Sequence, residues 1–151
     1  MIDRIDKHII DDISGIAQRL PSDTKILPNL KVIDKEFENV IWDTLKTKGI
    51  VSRYALSKDK FEHFEEIAFG ENYTLVADRL QALKGISNKV ILIWNADFEA
   101  VYIDFDIFAD YWEFFFFPSS DDLYVISENL DWIIYIAHFE CFYLGKGLKE
   151  N

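Results

Sequence analysis

His138 and Glu140 are the two residues of this chain whose types and spacing come closest to an acid/base couple. A histidine beside a carboxylate can move protons near neutral pH. Placed two residues apart on a strand, they would share one face of a sheet. No recognisable motif sets a serine or cysteine nucleophile beside them, so a structural histidine or a hydrogen-bonded pair at a sheet end is favoured. We predict no catalytic residue and no enzymatic activity.

Three carboxylates, Asp106, Asp110 and Glu113, recur at helical spacing in residues 105–117. On a helical wheel they fall within about 60° of arc. Five aromatic side chains fall within about 100° on another face, which predicts a buried aromatic stripe: Phe105, Phe108, Trp112, Phe115 and Phe116. A helix here would therefore bury the aromatic stripe and expose a row of carboxylates. The sequence does not separate one helix over residues 105–117 from a helix followed by a strand.

These carboxylates are predicted to bind lysine or arginine side chains of a partner, because complementary charge speeds encounter and rejects wrong partners. Tyr111 and Phe114 lie beside them and would supply anchoring contacts. The alternative is an ordinary solvated face that covers a core. Solvated faces usually mix both signs of charge, which is not the case here.

A second candidate lies in residues 118–122, Pro-Ser-Ser-Asp-Asp, which have the composition of a turn. Loops on a rigid scaffold often carry binding residues. Asp121, Asp122 and, further along the chain, Glu128 are therefore predicted to extend the acidic partner-binding surface. An irregular cation site built from the same three carboxylates stays open as an alternative, although no metal-binding motif is present, and we predict no metal site.

The charge of the chain is concentrated in one segment. Residues 90–145 contain 11 carboxylates and no lysine or arginine, together with 17 of the 24 aromatic residues. Residues 1–89 are almost balanced, and the whole chain has a formal net charge of −11. Such a surface favours a basic protein partner. It disfavours nucleic acid, which is bound mainly through lysine and arginine, and anionic membrane surfaces.

Length and composition limit the remaining possibilities. A chain of 151 residues is expected to form a single domain, residues 1–151. Cys141 is the only cysteine, which fits a reducing compartment. The N-terminus lacks the apolar region of a signal peptide, and no apolar run approaches the roughly 18 residues of a membrane span. We predict a cytoplasmic protein without cofactors, since no phosphate- or dinucleotide-binding motif occurs.

Apolar spacing and capping residues predict helices in the first part, about residues 1–86. The first predicted helix ends at Pro21 and carries Ile2, Ile5, Ile9, Ile13, Ile16 and Leu20 on one face. Three more are predicted: from Asp34 to Gly49, from Ser57 to Gly70, and from Asn72 to Gly85. Residues 50–56 are predicted to form a short strand.

The second part, about residues 88–145, is predicted to be rich in sheet. Residues 89–94 and 98–103 are expected to form one hairpin, and residues 123–126 and 132–139 another, with 142–144 ending or extending the sheet. The predicted class is α+β, with N-terminal helices on one face of a mostly antiparallel C-terminal sheet. The acidic helix is expected at an edge or end of that sheet.

The second half resembles small immunity proteins of bacterial polymorphic-toxin and contact-dependent-inhibition systems. Trp94, residues 106–113, residues 118–122, and Asp131-Trp132 leading into His138-Phe139-Glu140 carry the likeness. The resemblance implies a single-domain cytoplasmic protein that plugs a toxin domain, often a basic nuclease, and has no activity of its own.

The leading hypothesis is therefore a non-enzymatic inhibitor or immunity protein that binds and neutralises a basic toxin domain, a nuclease in the first instance. A non-enzymatic adaptor or scaffold with another partner is the alternative. A hydrolase that uses His138 and nearby carboxylates is the second alternative. The sequence does not separate a monomer from a homodimer.

Overall fold

The computed structural model describes residues 5–18, 20, 26–52, 55–86, 89–95, 98–117 and 120–149. The predicted end of the first helix at Pro21 and the turn residues 96–97 and 118–119 lie outside the described residues. The strands are β1 (Ile9–Ile10), β2 (Lys31–Ile33), β3 (Val51–Ser52), β4 (Ala55–Leu56), β5 (Phe61–Ala68), β6 (Lys89–Trp94), β7 (Ala100–Asp104), β8 (Leu123–Ser127), β9 (Trp132–Ala137) and β10 (Cys141–Leu148). The helices are α1 (Ser14–Ala17), α2 (Ile26–Asn29), α3 (Lys35–Thr47), α4 (Tyr73–Ala82) and α5 (Phe105–Tyr111), with short 3₁₀-helices at Ile5–His8, Lys58–Lys60 and Trp112–Phe114.

Eight strands form one antiparallel sheet in the order β1-β2-β7-β6-β8-β9-β10-β5, while β3 and β4 form a separate pair. The predicted α+β class and both predicted hairpins are confirmed, and β10 extends the sheet from Cys141 to Leu148. The sheet also takes strands from the N-terminal half, because β1, β2 and β5 all pair into it.

Apolar side chains cover both faces of the sheet. Leu92 and Ile134 contribute to one core cluster, and their neighbours Ile91 and Ile133 contribute to the other. Strands that are apolar on both sides need cover on both sides. Helices α4 and α5 pack on the first face and α3 packs on the second, so the prediction of helices on one face only is wrong.

The predicted first helix is not continuous. Residues 5–8 form a 3₁₀-helix, Ile9 and Ile10 pair with β2, and a single helical turn follows at Ser14–Ala17. Ile5 packs in the α3-side cluster, whereas Ile16 packs in the α4-side cluster. The isoleucine periodicity thus serves two different cores, which a straight helix could not reach.

The predicted third helix is strand β5, which pairs with β10 along its length, from Cys141 opposite Ala68 to Leu148 opposite Phe61. Pairing with a long strand outweighs the weak helical spacing of Phe61, Phe64 and Ile67. The predicted cap Ser57 makes no side-chain capping hydrogen bond.

The second and fourth predicted helices are confirmed as α3 and α4. The Asp34 side chain accepts a hydrogen bond from the amide of Phe37 at 2.8 Å, as an N-cap should. Gly49 follows α3 with a φ of +69°, a conformation that favours glycine. No helix in the described ranges is both long enough and apolar enough to cross a lipid bilayer.

The predicted aromatic helix is α5 followed by a 3₁₀ turn, with its five-residue aromatic stripe fully buried as predicted. It packs beside α4 over a face of the sheet, and Phe105 contacts Trp132 edge to face. The prediction that it lies at an edge or end of the sheet is wrong. The five rings are buried because they pack against the apolar face of the sheet.

Candidate functional site

The exposed aromatic side chains of the described residues lie at one end of the sheet. The register places Trp94, Leu123, Ile136 and Phe142 level with one another, so the chain after β6, before β8 and between β9 and β10 meets there. We call this surface the aromatic end and define it as residues 69–73, 113–117, 121–122 and 138–141. Their sequences contain five carboxylates and no lysine or arginine.

Direct contacts join these four segments. The Phe117 amide donates to the Asp121 carboxylate at 2.8 Å, and the Phe69 amide donates to the Glu140 carbonyl at 3.0 Å. The Tyr73 hydroxyl donates to the Glu140 carboxylate at 3.4 Å. The aromatic end is therefore a surface supported by hydrogen bonds, and those to Glu140 join segments that are distant in sequence.

Three phenylalanine rings are exposed at this end. Phe114, Phe117 and Phe139 have 38%, 45% and 43% of their surface accessible, and Leu75 in the first turn of α4 has 41%. Among the described residues, the remaining large exposed apolar side chain is Val40 on α3. Exposed apolar groups of this size usually mark an interaction site when they are grouped.

The path of the chain after α5 explains this exposure. Trp112 and Phe116 stack on each other, and the Trp94 indole N–H donates to the Phe115 carbonyl at 2.9 Å. Fixing these residues in the core turns the residues between and after them, Phe114 and Phe117, toward solvent. The exposed rings are held in place because their neighbours are buried.

Asp122 lies behind this surface as a buried acceptor. Its carboxylate accepts from the Tyr135 hydroxyl at 2.7 Å and from the His138 amide at 3.0 Å, and it contacts His138 Nδ1 at 2.9 Å. His138 keeps 37% of its side-chain surface accessible. Histidine and glutamate were predicted to share a strand face, but residues 138–140 form the turn after β9, and the carboxylate partner of His138 is Asp122.

Glu140 has a φ of +64°, which closes this turn, and its carboxylate lies beside Tyr73. Burial, together with the charge of Glu140, raises the pKa of the Tyr73 phenol. Tyr73 therefore stays neutral and remains a hydrogen-bond donor at neutral pH.

A ladder of stacked tyrosines stiffens the sheet on the α3 side. Tyr124 and Tyr135 stack with ring centroids 4.4 Å apart, and Tyr135 and Tyr143 at 5.6 Å. Phe139 contacts Tyr143 edge to face at 6.4 Å. Burial, with a smaller effect of Cys141, raises the pKa of Tyr143 to about 12, so this phenol stays neutral. The exposed Phe139 ring therefore packs against Tyr143 at the end of this ladder.

Asp106 and Asp110 are two of the predicted contact residues that make contacts inside the chain. Asp106 accepts from the Gly85 amide at 3.2 Å, and Asp110 is bound by Lys84 and by the Gln81 side chain. The hydrogen bonds from Lys84 and then Gln81 lower the pKa of Asp110. These two carboxylates connect α5 to the end of α4, although both remain exposed.

The other predicted residues are divided between the two ends of the sheet. Glu113 and Phe114 are exposed at the aromatic end, with the half-buried Tyr111 ring 6.4 Å from that of Phe114. Asp121 and Asp122 are at this end but buried, with 3% and 9% of their surface accessible, so the predicted exposed acidic loop is wrong at these two positions. Buried carboxylates need the donors that hold them here.

Glu128 lies at the opposite end of β8 from Asp121 and Asp122, and it accepts from the Tyr102 hydroxyl at 2.7 Å. The five residues of β8 separate the three carboxylates, so they cannot bind one cation together. Within the described ranges, no three histidine, cysteine, aspartate or glutamate side chains are grouped closely enough to hold a metal ion.

Sequence reasoning did not single out Phe139 as a surface residue, nor Asp122 as the partner of His138. Their arrangement depends on the register of β8 and β9, which no local pattern specifies. The composition of residues 90–145 was the one available signal.

Comparisons with known proteins add no assignment: no family model matches the chain, and no curated protein matches it.

Proposed function

We propose that this chain is a non-enzymatic inhibitor that binds a basic protein through its aromatic end, and that the partner is a toxin domain, as in the immunity proteins it resembles. The observation that supports this proposal most strongly is that the exposed Phe114, Phe117 and Phe139 rings and the exposed carboxylates of Glu71 and Glu113 all belong to segments that meet at one end of the sheet.

The two kinds of group would act differently. An aromatic ring removes about 150–250 Å² from water when it is fully buried, so these rings would supply most of the affinity. The carboxylates would act mainly on the association rate and on specificity, because complementary charge steers diffusion. A nuclease must attract phosphate, so its active site is basic and would be attracted to this end.

The rigidity of the aromatic end favours tight binding. Hydrogen bonds from Phe117 to Asp121 and from Phe69 to Glu140 hold these four residues in place before a partner arrives. Ordering a flexible loop on association costs free energy, and a preformed surface avoids part of that cost.

The proposal is tested by co-expression with the product of the gene next to its own. If that product is toxic, co-expression is expected to restore growth, and the two proteins should co-purify. Phe117→Ser combined with Phe139→Ser is expected to raise the dissociation rate at least tenfold. Glu71→Lys combined with Glu113→Lys is expected to lower the association rate at low salt, with a smaller effect at high salt.

Asp43→Lys combined with Asp59→Lys is the matched control, since it makes the same change in net charge at two exposed positions outside the aromatic end. Equal loss of association in both charge variants would show that only net charge matters. Full protection by the double phenylalanine variant would disprove the role of the aromatic end. Binding to a harmless neighbouring product would favour the adaptor alternative.

A hydrolase that uses His138 is the second candidate, and the Asp122 contact favours it. A carboxylate on Nδ1 orients the imidazole in the way that acid/base histidines require. Assays with p-nitrophenyl ester and phosphate substrates test this candidate. Activity that is present in the parent and lost in His138→Gln would support it, whereas equal rates in both proteins would reject it.

A further inference from the structure

A basic cleft lies at the opposite end of the sheet from the aromatic end. It has a volume of about 750 Å³ and is bordered by the end of α3, the β8–β9 turn and the end of β10. Lys48, Lys60 and Lys149 line it, and Asp131 is the one carboxylate among the described residues of its lining. We call it the lysine cleft.

The three lysines have no carboxylate partner within the described part of the chain. Lys35, Lys84 and Lys89, in contrast, form ion pairs with Glu38, Asp110 and Asp104. In a chain with a net charge of −11, three ammonium groups around one cleft, each without a carboxylate partner among the described residues, are a local excess of positive charge.

Other charges in the cleft do not cancel this excess. The Asp131 carboxylate accepts a hydrogen bond from the Ser127 hydroxyl at 3.0 Å. The C-terminus of α3 adds roughly half a negative charge. The aromatic end lies about 20 Å away along six-residue β9, which exceeds two Debye lengths at physiological ionic strength. Among the described residues of the lining, three ammonium groups therefore face one carboxylate.

The walls of the cleft are held by backbone hydrogen bonds. The Lys149 amide donates to the Lys60 carbonyl at 2.8 Å, and the Gly147 amide donates to the Asp131 carbonyl at 2.9 Å. Lys60 passes beside Gly49, where a Cβ would lie 3.5 Å from Lys60 Cε. Four separate segments are thus fixed around one space, as expected of a preformed binding site.

We propose that the lysine cleft binds a small organic phosphate. Several ammonium groups match an anion with more than one negative charge, and lysine commonly binds phosphate as a point charge. The lining also offers the Thr47 hydroxyl and the Asn129 amide as further donors. Ile50, Leu130 and Leu148 supply an apolar wall for the organic part of the ligand, and the volume is that of a typical small-molecule site.

This site is independent of the proposed partner binding, because it lies at the other end of the sheet and uses charges of the opposite sign. The test is a titration of the ¹⁵N-labelled chain with phenyl phosphate, inorganic phosphate and sodium chloride at matched ionic strength. Phenyl phosphate is expected to give saturable shifts at the amides of Gly49, Leu130 and Lys149, with a Kd below about 1 mM, and to bind more tightly than inorganic phosphate.

Lys60→Gln combined with Lys149→Gln is expected to weaken phenyl phosphate binding at least tenfold, since a hydrogen bond to a charged group contributes about that factor or more. Lys7→Gln combined with Lys31→Gln removes the same charge at exposed positions outside the cleft and should leave binding unchanged. The amide spectra of the two variants report whether each is folded. Equal binding by both variants, or shifts that sodium chloride reproduces, would overturn the proposal.

Discussion

Asp122 and His138 form a contact that joins two strand ends, with Nδ1 of the imidazole 2.9 Å from Oδ1 of the carboxylate. The same oxygen accepts from the hydroxyl of Tyr135 and from the backbone amide of His138. One buried carboxylate thus fixes the start of β8 to the turn that follows β9. The positions of two exposed rings of the aromatic end depend on this connection. Phe117 lies five residues before Asp122, and Phe139 directly follows His138.

Replacing Asp122 with alanine is expected to destabilise the protein by about 2–4 kcal/mol, because the buried Tyr135 hydroxyl and the His138 amide would lose their acceptor. Asp122→Asn keeps an acceptor oxygen and should cost less. Urea denaturation at pH 7 measures both values.

Tyr135→Phe provides the control, since it removes the buried hydroxyl group that would otherwise need an acceptor. Its combination with Asp122→Ala should destabilise by less than the sum of the two single changes. Strictly additive free energies would mean that the carboxylate and the phenol do not stabilise the fold through each other.

The α3 cap supplies a prediction about pH. Burial tends to raise the pKa of Asp34, but hydrogen bonds from the Phe37 amide and His8 outweigh it and lower the pKa below its usual value. A group with a lowered pKa in the folded state adds stability above its unfolded pKa of about 3.9 and loses it as the pH falls through the folded value. Asp34→Ala should therefore cost about 1 kcal/mol at pH 7 and progressively less below about pH 4.

Asp34→Asn is the matched variant, because asparagine caps helices about as well as aspartate and does not titrate. Its stability difference from the parent should be smaller at pH 7. Thermal unfolding between pH 2.5 and pH 7 measures all three proteins. An alanine penalty that stays constant over this range would contradict the assignment of the cap to the ionised carboxylate.

Local signals in the sequence were sufficient where an element is stabilised by its own residues. Asp34 caps α3 and Gly49 ends it, and both are visible as residue types. The aromatic stripe from Phe105 to Phe116 likewise identified a buried helical face. Such elements are predictable because their start, buried side and end lie within about 15 residues.

Local sequence patterns gave wrong predictions where the structure depends on pairing between strands that are far apart in the chain. Residues 61–68 have apolar residues at near-helical spacing, yet β10 pairs with seven of these eight residues. The exposure of Phe139 and the burial of Asp121 similarly depend on strand register, which places residues from three parts of the chain at one end of the sheet. Concentrated acidic charge was visible in the sequence, but Lys84 beside Asp110 was not.

Gly145 on β10 lies under the ring of Phe61, and a Cβ at this position would be 2.6 Å from ring carbon atoms. Gly145→Ala is expected to cost about 1–3 kcal/mol through overpacking. Phe61→Ala should cost less in the alanine background than in the parent, because the new methyl group would occupy part of the space left by the ring. Chemical denaturation of the four proteins gives the coupling energy.

Gly15→Ala is the control for this change. The nearest atoms there belong to the flexible end of the Glu99 side chain, and alanine favours the helical turn at this position. Its stability should equal or exceed that of the parent. A Gly145→Ala protein as stable as Gly15→Ala would show that β10 and β5 adjust without strain.

Asp110 and Glu113 lie one turn apart but have different surroundings. Asp110 is bound by Lys84 and Gln81, whereas Glu113 lies exposed at the aromatic end. Asp110→Lys would set two ammonium groups against each other between α4 and α5. We expect it to destabilise by about 1 kcal/mol more than Glu113→Lys at low salt, and the difference should shrink in 1 M sodium chloride as screening shortens the range of the repulsion. Urea titrations at both salt concentrations test this expectation.

If both variants lose the same stability at low salt, the Lys84 contact does not hold the helices together. If the expected difference is found, a loss of partner binding in Glu113→Lys can be read as a surface effect, whereas the same loss in Asp110→Lys would include damage to the α4–α5 packing.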